Sequence, residues 1–122
     1  MKKKPANPRT LLTPAALHIL LALADEERHG YGIKSEVEER TGGQLNLGAA
    51  TLYEAIHRMV ASGWIMESAR KGEEDDGRSN RRKYYRLARE GRRQMEAELA
   101  RLDEIVRYAR SKSLLPDLPR TL

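Results

Sequence analysis

No cysteine occurs among the 122 residues, which excludes disulfide frameworks, thiolate metal sites and cysteine nucleophiles. The three histidines, His18, His29 and His57, fall on three separate stretches of chain. His18 has no nearby Asp, Glu or second His at ligand spacing and reads as a packing or surface residue, and no metal site is expected. No nucleophile–base pair or paired carboxylates recur, so no catalytic residue is assigned and the chain is not expected to be an enzyme. Glu73-Glu74-Asp75-Asp76 lacks the glycine-spaced ligands of a calcium loop and reads as a solvated tip. Gly30-Tyr31-Gly32 has neither a preceding strand nor a following Gly-Lys-Ser/Thr, so it is not a phosphate loop. Nothing calls for a cofactor.

What remains is charge and its placement. Lys and Arg number 23 against 18 Asp and Glu, a net charge of +5. Residues 1–12 carry Lys2, Lys3, Lys4 and Arg9 with no acid, and residues 25–40 lean acidic. From Arg78 to Arg93 eight bases face the single acid Glu90. A basic block of this kind is the footprint of a polyanion site, although charge runs are more often plain solvated surface. The elements that carry the block have to decide.

The length suits one domain. The longest apolar run, Ala15 to Ala24, is broken by His18 and is too short to span a bilayer. Met1-Lys2-Lys3-Lys4 is followed by Pro5, Asn7, Pro8 and Arg9 rather than an apolar stretch, so no export signal is read and a cytoplasmic location is expected. Residues 1–12 read as a flexible basic arm. Thr13-Pro14 is a helix start signal, and the helix that follows is apolar nearly all round. Such a helix is covered on more than one side, by its own domain and by a partner. His29-Gly30-Tyr31-Gly32 reads as a turn, with a second helix from about Ile33 to Thr41 that buries Ile33 and Val37 and stops at Gly42-Gly43.

A third helix is expected from about Gly48 to Ser62-Gly63, with Leu52, Ile56, Met59 and Val60 as its core stripe. Its other face shows Ala49, Ala50, Thr51, Tyr53, His57 and Arg58. That face is small and free of bulky charge at its amino end, as suits a helix that must approach a DNA groove closely. Trp64 to Ala69 and Arg82 to Leu87 read as two strands, with Tyr85 and Leu87 on one face and Tyr84 on the other; both tyrosines read as strand packing. Arg70 to Arg81 reads as a polar loop between them. Three helices followed by a hairpin predict a mainly α chain with a two-stranded β-wing, a winged helix-turn-helix DNA-binding domain over residues 13–87. A last helix over 88–111 carries Met95, Leu99, Leu102, Val106 and Ala109 at heptad spacing. This seam suits a second subunit, reached together with Leu17 of the first helix; the alternative is that it folds back on its own domain. Residues 112–122 read as a tail.

These residues resemble the PadR family of bacterial transcriptional regulators over roughly Leu11 to Ala109. His29-Gly30-Tyr31-Gly32-Ile33 is similar to the family's Gly-Tyr motif before the second helix. Ala50-Thr51-Leu52-Tyr53-Glu54-Ala55-Ile56-His57-Arg58-Met59 is similar to its recognition helix. Ser62-Gly63-Trp64-Ile65, Arg82-Lys83-Tyr84-Tyr85-Arg86-Leu87 and Glu90-Gly91-Arg92 follow in the family's order. Each piece alone is weak; five in order are specific. One departure is Ala88, where the family commonly has a Thr able to cap the last helix, so a ragged start is expected there.

The resemblance implies a homodimer that places its third helices in successive major grooves of a pseudopalindromic double-stranded DNA operator, acting as a repressor. Ala49, Ala50, Thr51 and Tyr53 are then expected at the groove, with Tyr53 reaching a phosphate. Arg58 is expected on the same DNA side, Lys34 and Ser35 at the backbone, and Arg78, Arg81, Arg82 and Lys83 along the wing. A small-molecule effector, where one acts, is expected between the subunits near the first and last helices. Tyr108 is the one aromatic of the last helix, so no aromatic sandwich carries over. The competing reading is a winged-helix protein-interaction module that does not bind specific DNA.

Overall fold

The Thr13-Pro14 signal acts as expected. The Thr13 hydroxyl accepts the Ala16 backbone N–H at 3.0 Å, and Pro14 takes the first turn, where its missing N–H costs nothing. The computed structural model describes residues 12–71 and 83–116. Along them run α1 (Pro14–Ala22), β1 (Arg28–His29), α2 (Gly30–Arg40), α3 (Ala49–Ala61), β2 (Ile65–Lys71), β3 (Lys83–Leu87) and α4 (Arg89–Ser111). The architecture is the mainly helical winged helix that the element order predicts.

The sheet differs from the two-stranded wing expected. It has three antiparallel strands in the order β1-β3-β2, with Arg28 opposite Tyr85, His29 opposite Tyr84 and Ile65 opposite Leu87. The added strand is two residues long, too short for any alternation to show in sequence. It matters because His29 ends the strand and begins the next helix. Its Nδ1 accepts the Gly32 N–H at 3.1 Å, and its ring stands edge-on to Tyr84 at 5.2 Å. The expected turn at 29–32 is therefore the first turn of α2, which opens at Gly30 rather than near Ile33.

Ile19, Leu20, Ile33, Val37, Leu52, Ile56 and Ile65 are fully buried and join α1, α2, α3 and the sheet in one core. Ala55 replaces Val60 in the expected α3 stripe, and Val60 lies outside the core. Polar ties hold the helices in register. Arg28 donates from Nε to the Ala22 carbonyl at 2.6 Å and pairs with Asp25, Glu26 and Glu36. Arg40 of α2 reaches His18 of α1, donating from Nη1 toward Nδ1 at 2.7 Å. Burial and the Arg40 charge hold the His18 imidazole below its ordinary pKa.

The start of α4 lacks a side-chain cap, as Ala88 implies, yet it is anchored. The Ala88 N–H donates to the Trp64 carbonyl at 2.9 Å, and Gly91 lies so close that a Cβ there would sit 2.1 Å from that oxygen. From this anchor α4 packs along α1. Met95 is buried and Leu102 packs on the core. Leu99, Ile105 and Tyr108 face outward, 39%, 50% and 65% exposed. The heptad seam thus divides. Met95 and Leu102 fold back on the protomer, while Leu99 of the same seam stays exposed and Val106 and Ala109 are half-buried.

Candidate nucleic-acid interface

The buried row of α3, Leu52, Ala55, Ile56 and Met59, fixes where its other residues point. At about 100° per residue, Ala50, Glu54, His57 and Ala61 lie opposite that row. Ala49 and Tyr53 lie on one flank, and Thr51, Arg58 and Ser62 on the other. Gly48, Ala49, Ala50 and Thr51 are all exposed, so the helix begins with a turn that presents only small side chains. Glu54, absent from the expected site, occupies the outermost row beside His57. A carboxylate there can accept from the N4 amino group of cytosine, so the face is less neutral than its first turn suggested. The expected stripe of Leu52, Ile56, Met59 and Val60 already set residue 54 opposite the core, so its omission was a matter of reading and not of missing information.

Tyr53 is 42% exposed and lies across Gly30 at the start of α2. A Cβ on Gly30 would fall 2.1 Å from the Tyr53 hydroxyl oxygen, so the ring can take this place only over a glycine. The hydroxyl is thereby held beside the amino end of α2, where the helix dipole favours a negative partner. Burial, followed by the Glu67 charge and then Tyr53, raises the Tyr85 pKa. Both Tyr84 and Tyr85 are buried, as strand packing requires.

The other expected residues are placed unevenly. Thr51 and Arg58 are exposed and also line, with Ala55 and Ser62, a cavity of about 230 Å³ toward α1. Lys34 is half-buried and paired with Glu38 at 3.4 Å. Ser35 is exposed but shares a shallow depression with Glu38 and Glu39, acidic neighbours that disfavour a phosphate. Lys83 pairs loosely with Glu67 at 3.4 Å; both are more than half exposed, so the pair is readily exchanged for an external anion. Arg78, Arg81, Arg82 and the acidic run Glu73–Asp76 lie outside the described residues. Of the residues expected at a dimer contact, Leu17 and Met95 are buried within the protomer itself. Leu102, Val106 and Ala109 are half-buried, and Leu99 is exposed. Among the described residues no group of three or more His, Cys, Asp or Glu is arranged to hold a metal ion, and no helix is long and apolar enough to cross a membrane.

The fold and this face can be set beside known proteins. The model of the transcriptional regulator PadR-like family matches residues 19–97, well over half of the chain. The chain belongs to the PadR-like family of transcriptional regulators. An uncharacterized protein of Lysinibacillus sphaericus is 32% identical over 91 residues, covering 72% of this chain and 80% of the relative. The crystal structure of a PadR family transcription regulator from Clostridium difficile superposes with a TM-score of 0.66 at 26% identity, covering 80% of this chain and 95% of the other. Bacillus subtilis PadR, solved in complex with operator DNA, gives a TM-score of 0.57 at 20% identity over 88% of this chain and 51% of its own. That last likeness is one of fold. The family is one of regulators rather than enzymes, in keeping with a face built for contact.

Proposed function

We propose that this PadR-like regulator binds a pseudopalindromic double-stranded DNA operator as a homodimer and acts as a repressor. The observation that carries the reading is the exposed first turn of α3, Gly48 to Thr51, next to a tyrosine hydroxyl held at the amino end of α2. Small side chains let a helix backbone come close to base edges, while the hydroxyl serves as a phosphate anchor that fixes register. Ala49, Ala50 and Thr51 then face the bases, and Glu54 and His57 extend that row. Tyr53, Arg58 and Lys83 address the backbone, together with Arg78, Arg81 and Arg82 by charge. Lys34 and Ser35 are secondary, since acidic groups surround both.

Leu99, exposed, and Val106, half-buried one heptad further on, lie together on the α4 seam and support pairing with a second copy. Two reading helices related by a two-fold axis would recognise half-sites about 10 base pairs apart, one turn of the duplex. The test is selection of bound sequences from a random duplex library, followed by sedimentation of the complex. Enrichment of an inverted repeat bound by two chains is expected. Failure to retain any duplex at low salt would favour the protein-interaction module instead.

A further inference from the structure

Glu54 is the single acid of α3, and it sits where an acid is costly. Its side chain is exposed in the row opposite Leu52, Ala55, Ile56 and Met59, on the face that the DNA reading turns toward the groove. Arg58 follows four residues later, the spacing and order that favour an acid–base pair along a helix. Yet among the described residues Glu54 makes no ion pair, whereas Glu36, Glu90 and Asp103 on α2 and α4 are all paired. The carboxylate therefore meets the duplex with no counter-charge of its own protein beside it. In water a like charge about 10 Å away weakens binding about two-fold, and each strand brings at least one phosphate to the groove. Such an acid costs affinity for every sequence unless a base offsets it.

The four bases differ in what they offer a carboxylate. In the major groove guanine presents two acceptors, N7 and O6, and thymine presents an acceptor and a methyl group. Adenine has a donor at N6 but sets the N7 lone pair beside it. Cytosine presents its N4 amino donor with no acceptor of its own next to it. We infer that Glu54 is a specificity-determining residue of this regulator: it accepts a hydrogen bond from N4 of one cytosine in each half-site, and its charge penalises duplex that lacks that base. The inference deepens the DNA reading above and rests on it. Gly48, Ala49 and Ala50 let the helix come close, and Glu54 then selects. Selection has two parts, attraction to one base and repulsion from everything else, so the acid widens the gap between operator and random duplex although it weakens both kinds of phosphate contact.

Duplexes are selected from a random library with the full chain and with its Glu54→Ala and Glu54→Gln variants. Both variants should melt as the wild type does, because the side chain they change is exposed and unpaired. The wild-type selection should yield one invariant cytosine in each half-site. Glu54→Ala should lose that preference, about ten-fold or more in relative affinity, and should bind random duplex about four-fold more tightly at low salt. Glu54→Gln should exchange the cytosine for adenine, whose N6 and N7 a carboxamide meets together. A second probe tests the contact itself. N4-methylcytosine at the invariant position puts a methyl group where the accepted hydrogen stood; it should weaken the wild-type complex about ten-fold and leave the Glu54→Ala complex unmoved. A wild-type selection without an invariant cytosine, a preference that both variants keep, or a wild-type chain indifferent to N4-methylcytosine overturns the inference and leaves the DNA reading standing. A chain that retains no duplex at low salt overturns both.

Discussion

Gly30 carries no functional group, yet Gly30→Ala should impair DNA binding through Tyr53. The new Cβ would stand 2.1 Å from the tyrosine oxygen, 2.5 Å from Cζ and 2.8 Å from Cε1. Ordinary carbon contacts lie near 3.5–4.0 Å, so the ring must retreat by more than about 1 Å. Two stability effects then oppose each other. Alanine is favoured over glycine in a helix by about 0.5–1 kcal/mol, while a ring already 42% exposed gives up part of its packing. Their near balance should keep the melting temperature within about 4 °C of wild type. The hydroxyl, however, leaves the α2 amino end. Losing a hydrogen bond to a charged phosphate costs about 1.5–3 kcal/mol, roughly ten-fold to a hundred-fold in Kd.

Fluorescence anisotropy on the selected operator and on random duplex measures this, alongside thermal melts. Both duplexes should lose affinity by the same factor, because a phosphate contact carries no sequence information. Tyr53→Phe should give a similar loss without moving the backbone. The decisive comparison is Gly30→Ala in a Tyr53→Ala background, where the clash has no partner and the substitution should cost nothing further. If Gly30→Ala binds like wild type, or costs as much with Tyr53 gone, the seating of Tyr53 by Gly30 is refuted.

Arg81→Ala and Arg82→Ala should weaken operator and random duplex alike and flatten the salt dependence by about 0.9 per contact, whereas Thr51→Ala should lose about 1–3 kcal/mol on the operator alone; salt titrations on both duplexes separate the two patterns. Leu99→Glu combined with Val106→Glu should yield a folded monomer by sedimentation, while Met95→Ala should cost the protomer about 2–5 kcal/mol in urea denaturation because that side chain is 3% exposed. Gly91→Ala should destabilise in the same assay despite alanine's helix preference, since its Cβ would stand 2.1 Å from a backbone oxygen that cannot swing aside. Glu98 is held below its ordinary pKa of 4.5, first by the Arg101 hydrogen bond and also by the Leu12 backbone N–H. A depressed folded pKa contributes stability that is present above 4.5 and lost as pH falls through the folded value, so Glu98→Gln should flatten the acid limb of a pH–stability curve below 4.5.

Much of the fold was legible where local chemistry and period agree. Thr13-Pro14 marked the start of α1, Gly42 and Gly43 at φ +62° and +82° marked the stop of α2, and the long period after Arg89 marked α4. The misses share a cause: each depends on a contact distant in sequence. His29 caps α2 with an imidazole nitrogen, outside the usual Ser, Thr, Asp and Asn set, and its ring is held by Tyr84 across the sheet. Tyr84 and Tyr85 are adjacent on β3 and both are buried, and the His29 ring stands edge-on against Tyr84. The site was legible in part. Ala49, Ala50 and Thr51 could be placed on an exposed turn from period alone. That Tyr53 lies over Gly30, or that Thr51 and Arg58 share a cavity with α1, required the packing angle between helices.

Leu12, the first described residue, is where these surfaces meet. The Leu12 N–H is held by Glu98 on α4, its side chain lines the cavity that Arg58 and Thr51 share, and the basic residues Lys2 to Arg9 precede it. A shift of α1 along α3 therefore moves two things together: the shape of the cavity and the seat of α4. In a dimer built on the outer face of α4, displacing that helix against its own α3 changes the separation of the two reading helices. DNA tolerates little change in that separation, because half-sites are set by the turn of the duplex.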